Sequence, residues 1–278
     1  MVKIVTDSTA DLTPELIEKY QIGVVPLNVC INDQSFKDGI DLQPEQLFAM
    51  VDETNTLPKT AAPAIVDFIK EFKDSEESLY IGLSSKLSST IQNSYLAREE
   101  VGEENVEIVD SLNLSCGIGI LVLKAVDLRN QGLSLAEIKA EIEKLVPRVR
   151  TSFVVETLRY LYLGGRCSAL ASIFGSVLKV RPVIEVKQDG TMGVKAKVRG
   201  KRSKVVEYLL EDFKANLERI DLDRVIVTHA ACPDDASYLK EQIEAIAQPK
   251  EVLITTAGCV ISSHCGPETV GVIYLEKE

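Results

Sequence analysis

The sequence predicts an α/β fold in two parts, the first with a mostly parallel sheet and flanking helices, the second with a mixed sheet that includes an antiparallel hairpin. Three observations predict it. Short apolar runs alternate with helical patterns from the first residue, as when parallel strands are joined by crossover helices. The 278 residues, 45% hydrophobic and 26% charged, suffice for one large domain or two ordinary ones with a sizeable core. After Val155 the texture changes, and Gln188-Asp189-Gly190-Thr191 between two apolar runs reads as a hairpin turn. The division is therefore drawn between 1–155 and 156–278.

In order, Val2 to Val5 reads as a strand, followed by a polar turn and a helix over Thr13 to Tyr20. Thr13 offers a hydroxyl N-cap, Pro14 fits the first helical position and Glu15 complements the dipole. Ile22 to Ile31 reads as a second strand ending at the turn Asn32-Asp33-Gln34. Leu79 to Leu83, Val106 to Val109 and Phe153 to Val155 are further strands. Lys59-Thr60-Ala61-Ala62-Pro63 reads as a helix start with Thr60 at the N-cap, and Cys116 to Val126 as an apolar helix in which Gly117 and Gly119 serve close packing.

Two helical segments flank Gly164-Gly165. The hairpin strands are Val183 to Val186 and Gly193 to Val198. Then come a helix (Ser203 to Leu217), a strand (Arg224 to Val227), a helix (Asp235 to Ala247), a strand (Val252 to Thr255), a short helix (Cys259 to Ser263) and a last strand (Val270 to Leu275).

Thirty-one Lys and Arg against forty-two Asp and Glu give a formal charge of −11, which repels phosphate backbones, and no basic run interleaved with aromatics offers a stacking platform. Nucleic acid is not an expected partner. The first apolar run is broken by Thr6, Asp7 and Ser8, unlike a secretory signal, and no apolar stretch is long enough to span a bilayer. A cytoplasmic protein without stable membrane insertion is expected. The six cysteines include no CxxC pair, so free thiols are expected. Cys259, His264 and Cys265 come nearest to a metal cluster, but their spacing fits no usual ligand pattern.

Ligands of open α/β sheets collect beyond the carboxyl ends of the strands. Here those positions carry hydroxyls: Thr6-Asp7-Ser8-Thr9, Ser84-Ser85-Lys86-Leu87-Ser88-Ser89-Thr90 and Asp110-Ser111. Most such residues simply cap helices. Several capped starts at one sheet edge would also suit a small anion, a carboxylate more than a phosphate because no phosphate-loop glycine motif occurs. No nucleophile elbow is present. His264 lies in the polar turn Ser262 to Pro267, Arg166 follows Gly164-Gly165, and Arg199 ends a hairpin strand; cations of this kind would support a buried carboxylate. His229 reads as a partly buried structural residue.

Taken together, Val5-Thr-Asp-Ser-Thr-Ala-Asp-Leu12, Thr60-Ala-Ala-Pro63, Ser84 to Thr90, Val109-Asp-Ser111, Leu163-Gly-Gly-Arg166, Lys179-Val-Arg-Pro182 and Ser263-His-Cys-Gly-Pro267 resemble, in order, the motifs of the DegV family of bacterial fatty acid-binding proteins. That family includes the FakB subunits of fatty acid kinase. The resemblance implies a two-domain, non-enzymatic protein without cofactor that holds one long-chain fatty acid in an apolar tunnel. A separate kinase subunit would phosphorylate the carboxylate with ATP for phospholipid synthesis. It further implies that Thr60 and Ser88 bind the carboxylate, and that His264, Arg166 and Arg199 position it or support its transfer. The chain departs from the family pattern at Ala61, Ser89, Gly200 and Glu268. The rival reading is a stand-alone enzyme acting on a small carboxylate or phosphate, with His264 as acid/base.

Overall fold

The computed structural model describes residues 1–166 and 180–278. Its elements are β1 (Lys3–Asp7), α1 (Pro14–Tyr20), β2 (Gly23–Val25), β3 (Asn28–Ile31), β4 (Gln34–Lys37), α2 (Pro44–Thr54), β5 (Lys59–Ala61), α3 (Ile65–Phe72), β6 (Ser78–Gly82), α4 (Thr90–Val101), β7 (Val106–Asp110), α5 (Cys116–Asn130) and α6 (Leu135–Leu145). There follow β8 (Val149–Val154), α7 (Arg159–Leu163), β9 (Val180–Val186), β10 (Met192–Arg199), α8 (Arg202–Ala215), β11 (Ile220–Ala230), α9 (Pro233–Ala247), β12 (Val252–Thr256), α10 (Cys259–Cys265) and β13 (Thr269–Glu276). The second helical segment expected after Gly164-Gly165, together with Cys167 and Lys179, lies outside the described residues.

Two large sheets result. The first has the order β2-β1-β6-β7 and is parallel throughout. The second has the order β10-β9-β8-β13-β11-β12. It is antiparallel except where β11 runs parallel to β12. The fold class is thus α/β with a mixed second sheet. Its β9–β10 hairpin turns at Asp189-Gly190, where Gly190 has φ +82° and Asp189 Oδ1 accepts from Thr191 N at 2.9 Å.

Strand identity explains where the layers meet. In the first sheet Ile4, Leu79, Ile81 and Val109 face inward, while Val5, Tyr80 and Ile108 face outward onto Phe68 and Phe72 of α3 and Ile91 and Ala97 of α4. Both faces are covered, so the strands read as unbroken apolar runs. The second sheet turns Phe153, Ile184, Ile226 and Ile273 inward and packs its other face on α8 and α9. Helix α5 lies in the shared inner layer, buried from Cys116 through Leu123, as a helix apolar on every side must be. A side chain at Gly117 would overlap Asn113 Oδ1, and one at Gly119 would come within 2.8 Å of the Ala10 carbonyl.

Two sequence expectations are corrected. Ile22 to Ile31 is not one strand: Pro26, which has no N–H for a ladder, separates β2 in the parallel sheet from β3 in a small antiparallel sheet of order β4-β3-β5. Thr60 is not an N-cap. It lies within β5, paired with Val29, and α3 starts after Ala64, because the residue before Pro63 is driven out of the helical region. Strand β8 hydrogen-bonds to β13 and β9 and so belongs to the second sheet. The run Phe153 to Val155 is apolar on both faces and carries no sign of which sheet takes it.

Gly117→Ala tests the inner packing. Helix propensity alone would stabilise by about 1 kcal/mol. The overlap with Asn113 should instead destabilise by about 1–3 kcal/mol, read as a lower urea midpoint at unchanged slope.

Candidate functional site

The site forms where the hydroxyl-rich loop after β6, strand β5 and helix α10 converge. Asp7 anchors the first of these. Its buried carboxylate accepts from Tyr80 Oη at 2.7 Å and Leu83 N at 3.0 Å, which fixes the chain leaving β6. Burial raises the Asp7 pKa, and these bonds oppose the rise. Beyond Leu83, Ser84 Oγ donates to the Gly190 carbonyl at 2.9 Å, tying this loop to the β9–β10 turn. Ser88 then stands one turn on, its N donating to Ser84 O at 3.2 Å. Its Oγ lies 2.8 Å from Thr90 Oγ1 and accepts from Thr90 N at 3.3 Å.

Thr60 and His264 meet across the chain, with Thr60 Oγ1 2.9 Å from His264 Nε2. Nδ1 of His264 is buried and has no hydrogen-bond partner among the described residues. A proton on Nδ1 would be a stranded donor, more costly than an idle lone pair. We assign it to Nε2, donating to Thr60 Oγ1. The Thr60 hydroxyl is then free to donate into the site. Gly164 packs against this ring, since a Cβ there would come within 2.5 Å of Nδ1. Burial, and secondarily the Arg166 charge, pushes the His264 pKa from 6.5 down to about 4, so the imidazole is neutral at pH 7.

Around these groups is a cavity of about 310 Å³ lined by Thr60, Ser88, Ser89, Arg166 and His264 on its polar side and by residues such as Leu83, Leu114 and Val260 on the other. A smaller cavity of about 50 Å³ continues inward between Phe153, Leu161 and Ile273, and shares Leu114, Met192, Ile261 and His264 with the first. Outward, a space lined by Lys86, Arg166 and Lys187 opens to solvent. Polar chamber, apolar interior and cationic mouth therefore adjoin one another through shared wall residues.

Of the residues singled out by sequence, Thr60, Ser88, Arg166 and His264 come together here. Arg166 is exposed at the mouth and donates to the Gly164 carbonyl at 2.6 Å. Arg199 does not join them. It is exposed at the far end of β10, roughly 20 Å from Met192 at the rise of a strand. Three further hydroxyls serve the backbone instead: Thr6 Oγ1 donates to Ile81 O at 2.8 Å, Ser8 Oγ accepts from Leu27 N at 3.1 Å, and Ser111 Oγ accepts from Asn113 N at 3.1 Å. His229 is buried at the apolar cavity and accepts from Cys232 N at 3.4 Å. Sequence reading missed Leu114, Met192 and Ile261 as lining residues, because nothing in an apolar residue type marks it as facing a void. Among the described residues no group of three or more His, Cys, Asp or Glu is placed to hold a metal ion, and no helix is long and apolar enough to cross a membrane.

Fold and site together define an α/β protein of two large sheets and one small one, with a hydroxyl-lined chamber beside an apolar cavity of its core. The chain belongs to the DegV family: the family model described as an uncharacterised protein, DegV family, matches residues 1–277. A DegV domain-containing protein of Clostridium acetobutylicum is 36% identical, with 99% of each chain covered. Among solved structures, a Thermus thermophilus DegV family protein described by its fatty acid binding superposes with a TM-score of 0.92 at 31% identity, 99% of each chain being covered. A stearic acid-binding protein of Eubacterium ventriosum gives 0.89 at 26% identity, covering 100% of this chain and 99% of its own.

The lowered pKa sets a pH dependence. As pH falls from 6.5 towards 4 the unfolded chain takes up a proton before folded His264 does, so the stability that neutral His264 contributes is whole above this window and declines through it. By NMR the His264 imidazole should titrate near pH 4. Arg166→Gln should raise that value only partway towards 6.5, because burial is the larger cause.

Proposed function

We propose that this protein binds one long-chain fatty acid, with the carboxylate in the polar chamber and the acyl chain directed into the core, and presents it to a separate ATP-dependent kinase. Thr60 and Ser88 donate hydroxyl hydrogen bonds to the carboxylate. His264 orients the Thr60 hydroxyl, and Arg166 supplies the charge at the mouth. The observation that carries this reading is that the chamber holding Thr60 and His264 adjoins an apolar cavity between the sheets, the two sharing Leu114, Met192, Ile261 and His264 as walls. The fatty acid binding described for the Thermus thermophilus relative supports it.

The energetics divide in the same way. At roughly 0.8 kcal/mol per buried methylene, a long acyl chain offers on the order of 10 kcal/mol before binding costs. The hydroxyls contribute less and select a carboxylate over an ester. The cationic mouth of Lys86, Arg166 and Lys187 suits approach of a phosphate. In the kinase step a carboxylate oxygen attacks the γ-phosphorus of ATP, the bond to ADP breaks and an acyl phosphate forms. His264, neutral with a pKa of about 4, is poorly matched to acid catalysis at neutral pH, which favours binding over the stand-alone enzyme.

Organic extraction of the purified protein, or of protein incubated with oleate, followed by mass spectrometry should recover one fatty acid per chain; recovery of none in both samples refutes the reading. Ser88→Ala and Thr60→Ala should each weaken binding of the free acid by roughly tenfold, about 1.4 kcal/mol and typical of a hydrogen bond to a charged group, and leave the methyl ester nearly unaffected. Equal losses for acid and ester would remove these hydroxyls from the head site. With the kinase subunit and ATP, hydroxylamine should trap an acyl hydroxamate that is absent when this chain is omitted.

A further inference from the structure

The three adjoining cavities have one side chain in common. The mouth shares Leu87, Arg166 and Met192 with the polar chamber, and the chamber shares Leu114, Met192, Ile261 and His264 with the apolar interior; among the described residues Met192 alone lines all three. It is 6% exposed and occupies the first position of β10, next to the turn.

The neck between chamber and interior has three members held firmly. Ile261 and His264 lie on α10, whose first turn is fixed by Gly258 N donating to Asp11 Oδ1 at 2.8 Å and Cys259 N to Asp38 Oδ1 at 2.7 Å. His264 is further held by Thr60, and Leu114 N donates to Asn113 Oδ1 at 3.1 Å. The backbone at Met192 is also fixed, paired with Val186 and secured by the Ser84 bond to Gly190. Its side chain is different in kind. An unbranched thioether with three rotatable bonds adapts where Ile and Leu do not.

Movement is required, because the apolar interior is small. At about 50 Å³ it is roughly a third of the ~150 Å³ cavity that accepts a benzene molecule. A long acyl chain needs more, so a wall of the path must yield. Resting on the fatty acid reading above, we infer that Met192 is the specificity-determining residue of this site: its side chain swings aside to pass the acyl chain, and its bulk at the neck sets which chain shapes are accepted. A kinked cis-unsaturated chain presents a wider profile to the neck than a straight saturated one.

The test compares oleate with stearate on wild type, Met192→Ala and Met192→Phe, with thermal unfolding checked for each. Met192→Ala should shift the oleate-to-stearate affinity ratio towards oleate and Met192→Phe towards stearate. Each shift should be roughly tenfold, the size of a one-methylene change in fit. The preference for free acid over methyl ester should stay at the wild-type value in both variants, because the Met192 side chain has no hydrogen-bond donor to offer a carboxylate. Opposite shifts with that preference retained support the inference. So does loss of both ligands by a folded Met192→Phe protein, whose neck is blocked, provided Met192→Ala shifts towards oleate. An unchanged ratio in Met192→Ala, or shifts in the same direction in both variants, overturns it, and Met192→Ala decides alone if Met192→Phe does not fold. Wild type binding neither acid would instead overturn the fatty acid reading itself.

Discussion

Everything at the site depends on how α10 is anchored. The helix follows β12 of the second sheet, yet its first amides are held by carboxylates from the first part of the chain, Asp11 and Asp38. Asp11 also accepts from Ser115 Oγ at the start of α5. Both carboxylates are buried, and burial raises their pKa values against the hydrogen bonds that lower them. Negative groups at a helix N-terminus are favourable for that helix, and here the contact also joins the two sheets. At the other end of α10, His264 is thereby brought to Thr60.

That anchoring allows a neutral histidine to do useful work without titrating. With its proton on Nε2, the ring leaves the Thr60 hydroxyl proton free to point into the chamber, at whose rim Arg166 stands. A fully buried cation would bind a carboxylate more strongly but would carry its own desolvation cost before the ligand arrived. Hydroxyls avoid that cost.

The glycines of the site follow from the same geometry. Gly164 gives His264 room at Nδ1, and Gly266, at φ +78°, lies where a side chain would meet the Tyr160 ring within 3.0 Å. Both belong to short motifs visible in the sequence, although neither motif alone reveals that the two approach one another. Asp11 was likewise visible as part of a polar turn, and Asp38 lies in a stretch with no marked pattern; their joint role needs the fold. Met192 left no signal at all, being one apolar residue after a turn.

The sequence by itself determined the strands and helices with strong apolar periodicity, the hairpin at Asp189-Gly190, the packing role of Gly117 and Gly119, and the short list from which Thr60, Ser88, Arg166 and His264 emerge, because propensity, capping and turn chemistry are local. Only the tertiary structure decided that Pro26 splits one apolar run between two sheets, that β8 joins the second, that Arg199 stands far from the chamber, and that Thr6, Ser8 and Ser111 bind backbone. The physical reason is that an apolar residue carries the same hydrophobicity whether it faces a neighbour or a void, and a polar one the same donors whether they meet the backbone or a ligand. Contacts between residues some two hundred positions apart, such as Thr60 with His264, settle which of these occurs.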